Sequence, residues 1–346
     1  MNNVLKEDFS NILQNKFSWK KLKNSSILIT GASGYLANYL IKFLLYLNEK
    51  EDLNIKIVGT TRDIKRTKEK FKSHLKNKKL AFFQTNLLSN INIKEKVDYI
   101  IHMASLASPK FYESQPVDVM EPNITGTINL LNFSKKKKVK KFLFISTSGV
   151  YGFVDDHKRP NNESTFGYLD NTLPESIYLE SKRMAETICI AYKNQYKIPI
   201  SIIRPSISYG PGITLNDGRS FADFINNIIK NQNIKLFSKG NVMRNFCYIS
   251  DVVSGILLIL IKGKNGESYN LASRKETSIK MLANFLVKEV FPERKLKVIV
   301  SKIKKKLLRA EFKRTLVCCN KVKKLGWVER ISLKDGFRRT VEWYEK

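Results

Sequence analysis

The stretch Ile27-Leu28-Ile29-Thr30-Gly31-Ala32-Ser33-Gly34-Tyr35-Leu36-Ala37 constrains this chain more than any other. A short apolar run enters Gly31, and a helix-forming stretch follows Gly34. Gly31 permits a tight turn. Gly34 lets the backbone approach a pyrophosphate, and the small Ala37 allows close helix–strand packing. The amides of a helix N-terminus then face that anion. Strand, glycine turn and helix in this order predict a dinucleotide site.

The chain continues in the same alternation. Strand signals fall at 55–59, 80–83, 99–103, 141–146 and 200–204, and helical ones at 38–47, 116–135 and 176–196. Such alternation predicts an α/β fold, a Rossmann-type doubly wound parallel sheet with its ligand beyond the C-terminal strand ends. We expect a dinucleotide-binding domain over 1–205, with a short helical extension at 1–25. A smaller C-terminal α+β substrate domain is expected over 206–346, part of 242–262 packing back on the first.

The chain has 346 residues, enough for these two units. Its N-terminus lacks the basic start and cleavage site of a signal peptide, and no apolar run would span a bilayer. A cytoplasmic protein with no membrane partner is expected. The net charge of +31 could suit nucleic acid. The lysines are spread along the whole chain, however, and its densest run, 135–141, falls where a helix C-terminus favours cations. No nucleic-acid partner is therefore expected. Cys189, Cys247, Cys318 and Cys319 have no metal-ligand spacing, so they read as core thiols and no metal site is expected. His102 ends an apolar strand and reads as structural.

Three further pieces sit where the strands end. Ser146-Thr147-Ser148 puts hydroxyls at a strand tip, Tyr178 and Lys182 lie one helical turn apart on one face, and Arg204-Pro205 closes a later strand. With His102-Met103-Ala104-Ser105, Asn123-x-x-Gly126-Thr127 and Arg244-x-Phe246-x-Tyr248-x-x-x-Asp251, they make the chain resemble an extended short-chain dehydrogenase/reductase of the NAD-dependent epimerase/dehydratase family. Members act on nucleotide sugars. The likeness runs from about Ser26 to Trp327 and lies near the UDP-glucuronate decarboxylase branch.

That resemblance implies the site. Tyr178 would be the general base on a sugar hydroxyl, with Thr147 bonding the reacting oxygen. Lys182 would hold the nicotinamide ribose and, with the cationic ring, lower the tyrosine from its ordinary ~10. Gly31, Ser33, Gly34, Tyr35, Leu36, Arg62, Asn86, Leu87, Met103, Ala104, Ser105 and Pro205 would contact the cofactor. NAD is expected, with NADP as the alternative: Arg62 after the second strand suits a 2′-phosphate, and Asp63 comes one residue late for the ribose. Arg219, Arg244 and Arg314 would grip the diphosphate of a nucleotide-diphosphate sugar. Ser108, Lys110, Tyr112, Ser148 and Ser206 are weaker candidates for the sugar. A homodimer is expected.

The reaction is less constrained. Relatives that remove water or CO₂ usually carry an acid at the position of Gly149, and the 4,6-dehydratases carry another at that of Ser148. Neither residue here can transfer a proton for an elimination, which disfavours 4,6-dehydration. An epimerase, which oxidises a hydroxyl and returns the hydride to the other face, is expected. A UDP-glucuronate decarboxylase-like enzyme and an NADPH-dependent keto-sugar reductase are the alternatives.

Overall fold

The computed structural model describes residues 2–15, 17–301 and 314–345; part of the tail read as helices and loops, 302–313, lies outside them. The chain enters through helix α1 (Asn3–Leu13), capped by Asn2, which accepts from the Val4 N–H. Strand β1 (Ser26–Thr30) is buried at every position. The glycine turn follows and leads into α2 (Tyr35–Glu51). Next come β2 (Lys56–Thr61), α3 (Ile64–Lys70), β3 (Leu80–Gln84) and β4 (Tyr99–His102). A one-turn helix α4 (Phe111–Ser114) precedes the long α5 (Pro116–Lys137), which leads to β5 (Lys141–Ile145). Helix α6 (Pro174–Tyr196) opens on a proline at its first position, where a missing N–H costs nothing.

Strands β6 (Ile200–Pro205) and β7 (Ile207–Tyr209) are followed by α7 (Ser220–Ile229), β8 (Ile234–Leu236), β9 (Met243–Tyr248) and α8 (Ile249–Lys262). Then come β10 (Glu267–Leu271), β11 (Glu276–Ser278), α9 (Ile279–Phe285), β12 (Val298–Val300), α10 (Asn320–Lys324) and α11 (Leu333–Glu345).

The main sheet has seven strands in the order β10-β6-β5-β4-β1-β2-β3, each pairing parallel. Alternate side chains serve opposite faces, as the two-residue period of a strand requires. Leu28, Ile100, Phe142 and Phe144 pack with Leu130 and Ala185 of α5 and α6. Ile27, Ile29, Ile101 and Leu143 join the larger core with α2 and α8. A sheet covered on both faces explains the apolar runs of its central strands. The chain winds outward from β1 to β3, then crosses to β4 on the other side of β1. The crevice of such a sheet lies at that switch point, beyond the C-terminal ends of β1 and β4.

Beyond residue 205, β7, β9 and β11 form a three-stranded sheet, and β8 and β12 a two-stranded one. Strand β10 departs from the expected division, because it pairs with β6 as the seventh strand of the main sheet. The stretch returning to the first unit thus extends past residue 262.

Candidate active site

Two adjoining cavities open at the switch point. The first, of about 320 Å³, is bounded by the glycine turn, the ends of β2 and β4 and the segment 85–88. Gly31 has a φ of +70°, and a Cβ there would come within 2.9 Å of the Ala104 Cα. The turn is thus open only to glycine. Gly34 caps α2 without a side chain, and its N–H donates to the Gly31 carbonyl at 2.8 Å. The free amides of the first helical turn are the groups that an anion satisfies. Thr30 fixes the neighbouring strand end by accepting from the N–H groups of Met103 and Ala104 at 3.0 and 3.1 Å. Its hydroxyl also meets the His102 Nδ1 at 2.8 Å. Burial holds His102 down to about 3, so the ring is neutral and ties β4 to β1.

The second cavity, of about 390 Å³, shares Gly31, Gly34, Tyr35, Met103 and Ser105 with the first. Thr147, Tyr178 and Lys182 line it together. Thr147 caps the turn Ser148–Tyr151, its Oγ1 accepting from the Gly149 N–H at 3.2 Å. The Tyr178 ring is stacked on Tyr112, with centroids 5.6 Å apart and planes 11° from parallel. Lys182 is buried and donates to the Ile145 carbonyl at 2.8 Å, its Nζ 5.9 Å from the centre of the Tyr178 ring.

Burial dominates the electrostatics of the triad. Burial pushes Tyr178 up to about 12, against a lowering by Arg219. Burial likewise pushes Lys182 down to about 7, with Glu186 opposing it. Desolvation disfavours both charged forms, so the phenol is not activated in the protein alone. A cation brought beside the hydroxyl would be needed to favour phenolate.

The first cavity brings together Gly31, Ser33, Gly34, Tyr35, Arg62, Asn86, Leu87, Met103, Ala104 and Ser105. Leu36 and Pro205 line the second with the triad, as do Ser148, Ser206, Arg219 and Arg244. Three of the expected substrate residues are not on its lining. Ser108 donates to the Asp217 carbonyl at 2.6 Å, Lys110 lies over the Phe111 ring, and Arg314 pairs with Glu276 at 2.7 Å. Arg219 is itself paired with Asp217. Sequence reading missed Arg66 and Lys70, which line the first cavity beside Arg62. It also missed Glu175 on the second. A basic residue every fourth position after Arg62 could have flagged the first two; a glutamate at a helix start carries no such signal.

Buried polar atoms without a protein partner cluster here. The Tyr35 hydroxyl, Ser105 Oγ, Ser206 Oγ and Glu175 Oε2 all lack one among the described residues. Buried polar groups are normally bonded, so the cleft is built to receive polar ligands, and its glycine cradle fits a dinucleotide.

A parallel sheet of this order, with a glycine cradle at its switch point, is the framework of the extended short-chain dehydrogenase/reductases. Within that class the chain belongs to the NAD dependent epimerase/dehydratase family, whose model matches residues 27–272. It is 30% identical over 314 residues to UDP-glucuronic acid decarboxylase 3 of Arabidopsis thaliana, covering 90% of this chain and 87% of that protein. Its fold is similar to that of a UDP-glucose 4-epimerase of Thermotoga maritima, solved with UDP-glucose. The TM-score is 0.78 at 23% identity, over 92% of this chain and 98% of the other. The UDP-glucuronic acid 4-epimerase of Bacillus cereus, solved with UDP-glucuronic acid and NAD, gives 0.75 at 24%, over 92% and 98%.

Proposed function

We propose that the chain is a nucleotide-sugar epimerase that oxidises a sugar hydroxyl to a transient ketone with a bound NAD. The observation that carries this reading is the meeting of Thr147, Tyr178 and Lys182 on a cavity adjoining the glycine cradle. A bound dinucleotide would supply a hydride acceptor and donor. Gly31 and Gly34 would hold its pyrophosphate, and Asn86 and Leu87 its adenine end. Tyr178 takes the proton of the sugar hydroxyl, and Thr147 holds the same oxygen. Lys182 holds the ribose and keeps the tyrosine in place. Arg219 and Arg244 bind the substrate diphosphate, for which guanidinium groups are suited. Proton transfer of this kind needs no further acid when a hydride leaves and returns at one carbon.

A second reading, decarboxylation of a nucleotide uronate, is favoured by the likeness to UDP-glucuronic acid decarboxylase 3. Gly149 speaks against it, standing where the resemblance to that branch implies an acid. A Cβ there would meet the Leu179 Cδ2 at 2.5 Å, so any larger residue needs Leu179 to move. Incubation with UDP-, dTDP-, GDP- and CDP-sugars, read by mass and NMR, separates the readings. No mass change with inverted stereochemistry supports epimerisation; loss of CO₂ supports decarboxylation; a gain of two hydrogens at the expense of added NADPH supports a reductase. Tyr178→Phe should lower turnover by at least ~10²-fold, the usual worth of a general base, with the dinucleotide retained. Undiminished turnover would sink the mechanism.

NAD is the proposed cofactor on family grounds. Arg62, Arg66 and Lys70 make the adenosine end of the cleft cationic, while Asp63 is engaged as the cap of α3, accepting from the Arg66 N–H at 2.9 Å. This end can accept a 2′-phosphate, so NADP remains the alternative. Calorimetric titration of both dinucleotides into the apoprotein and into Arg62→Ala decides it. Loss of NADP affinity alone in the variant marks Arg62 as its 2′-phosphate contact.

A further inference from the structure

We propose that Glu175 selects an uncharged hexose over a hexuronate in the second cavity, one oxygen accepting a sugar hydroxyl while its charge opposes a sugar carboxylate. The inference rests on the reading of that cavity as the nucleotide-sugar site. Glu175 is the only acidic residue on its described lining. It lies three residues before Tyr178 in α6, and residues so spaced share one helix face. Its carboxylate therefore borders the sugar positions around the hydroxyl that Tyr178 serves.

The Oε2 atom is buried and has no hydrogen-bond partner among the described residues. A buried acceptor left unbonded is costly unless a ligand completes it. A sugar presents hydroxyl donors at nearly every carbon, so a neutral hexose completes it directly. A hexuronate would bring a second carboxylate beside the first, and like charges at short range disfavour one another. The guanidinium groups on the lining offer little relief. Arg219 is already paired with Asp217, and the diphosphate of the substrate draws on both Arg219 and Arg244. Rejecting a competitor by an unmatched charge is a common route to specificity. A glutamate in a first helical turn also suits the helix dipole, but that role is indifferent to which sugar is bound.

The test compares UDP-glucose with UDP-glucuronate on the full-length, dinucleotide-loaded protein, as wild type, Glu175→Gln and Glu175→Ala. Affinity is read by calorimetry and kcat/KM by product NMR. Wild type should prefer UDP-glucose. Glu175→Gln, which keeps shape and hydrogen bonding, should raise the UDP-glucuronate to UDP-glucose ratio by about tenfold or more, mainly through the KM or Kd of the uronate. Glu175→Ala should also weaken UDP-glucose, because the hydroxyl loses its acceptor. Retained dinucleotide and unchanged thermal midpoint establish that both variants fold. A ratio unmoved by either variant overturns the role of Glu175 and leaves the cavity assignment standing. Failure of wild type to bind either sugar nucleotide overturns both together.

Discussion

Tyr178 ionises with difficulty, because burial pushes its hydroxyl up to about 12, and two neighbours decide how useful it becomes. Arg219 is the cationic one, and its charge opposes that rise. A guanidinium stays charged across the working pH range and favours phenolate. Removing it should therefore move the acid limb of the kcat/KM profile upward. We expect Arg219→Met to shift this limb to higher pH, and an unshifted limb would confine Arg219 to diphosphate binding. Tyr112 is the apolar neighbour, stacked face to face on the reacting ring. Tyr112→Phe keeps the stack and should leave kcat within about twofold, whereas Tyr112→Leu should lower kcat about tenfold with little change in KM, since small displacements of a reacting group are costly. Equal losses in kcat and KM, or none, would refute a positioning role. Gly31, Thr147, Tyr178 and Lys182 could be read from the sequence because each sits at a fixed offset from a strand or helix end. Tyr112 over Tyr178, and Glu175 on the cavity wall, could not, because they depend on how α4 and α6 approach one another across 60-odd residues of chain.

Helix α1 shows the same limit at the scale of an element. Its apolar spacing was legible as an amphipathic helix, but its tertiary partner was not. Asp8, fully buried within it, accepts from the hydroxyls of Tyr39 at 2.9 Å and Tyr248 at 2.7 Å, and pairs with Arg339 at 2.8 Å. One carboxylate thus joins α1 to α2, to the end of β9 and to α11. Removing one member of a buried, bonded set leaves the others unsatisfied, at about 3 kcal/mol. Asp8→Ala should lower unfolding stability by that order in urea titration, and Asp8→Asn by less, because it keeps an acceptor. A loss below about 1 kcal/mol in Asp8→Ala would show that the helix is held by its apolar face alone. The long elements were legible for a plainer reason: α5 and α6 carry sustained helical periodicity, and β1 and β5 are apolar at nearly every position because both faces are covered. Strand β10 lacks that signal. Glu-Ser-Tyr-Asn-Leu alternates weakly, and its partner β6 lies more than 60 residues away.

At the scale of the whole molecule, the parts of the chain beyond residue 205 are joined through Asp251, at the start of α8. It is buried, and its two oxygens accept from the backbone N–H groups of Arg330 and Ile331 at 3.1 and 3.0 Å. The Trp327 indole donates to its carbonyl at 2.9 Å. The segment leading into α11 is thereby fastened to the helix that backs the main sheet. Burial nevertheless pushes the carboxyl up to about 7, aided by Glu329 and Asp8 and opposed by the two N–H bonds. The folded state then holds a proton that the unfolded chain has lost, between the ordinary aspartate value near 4 and about 7. Stability from this group is complete below that window and is lost as pH rises through it, at no more than about 1.4 kcal/mol per pH unit for one proton. Asp251→Asn cannot titrate. The difference in unfolding free energy between wild type and Asp251→Asn should therefore change between pH 4 and 7, wild type losing ground as pH rises, and be constant above about 8. A difference independent of pH across that range would mean that the two backbone bonds outweigh burial and keep Asp251 ionised throughout.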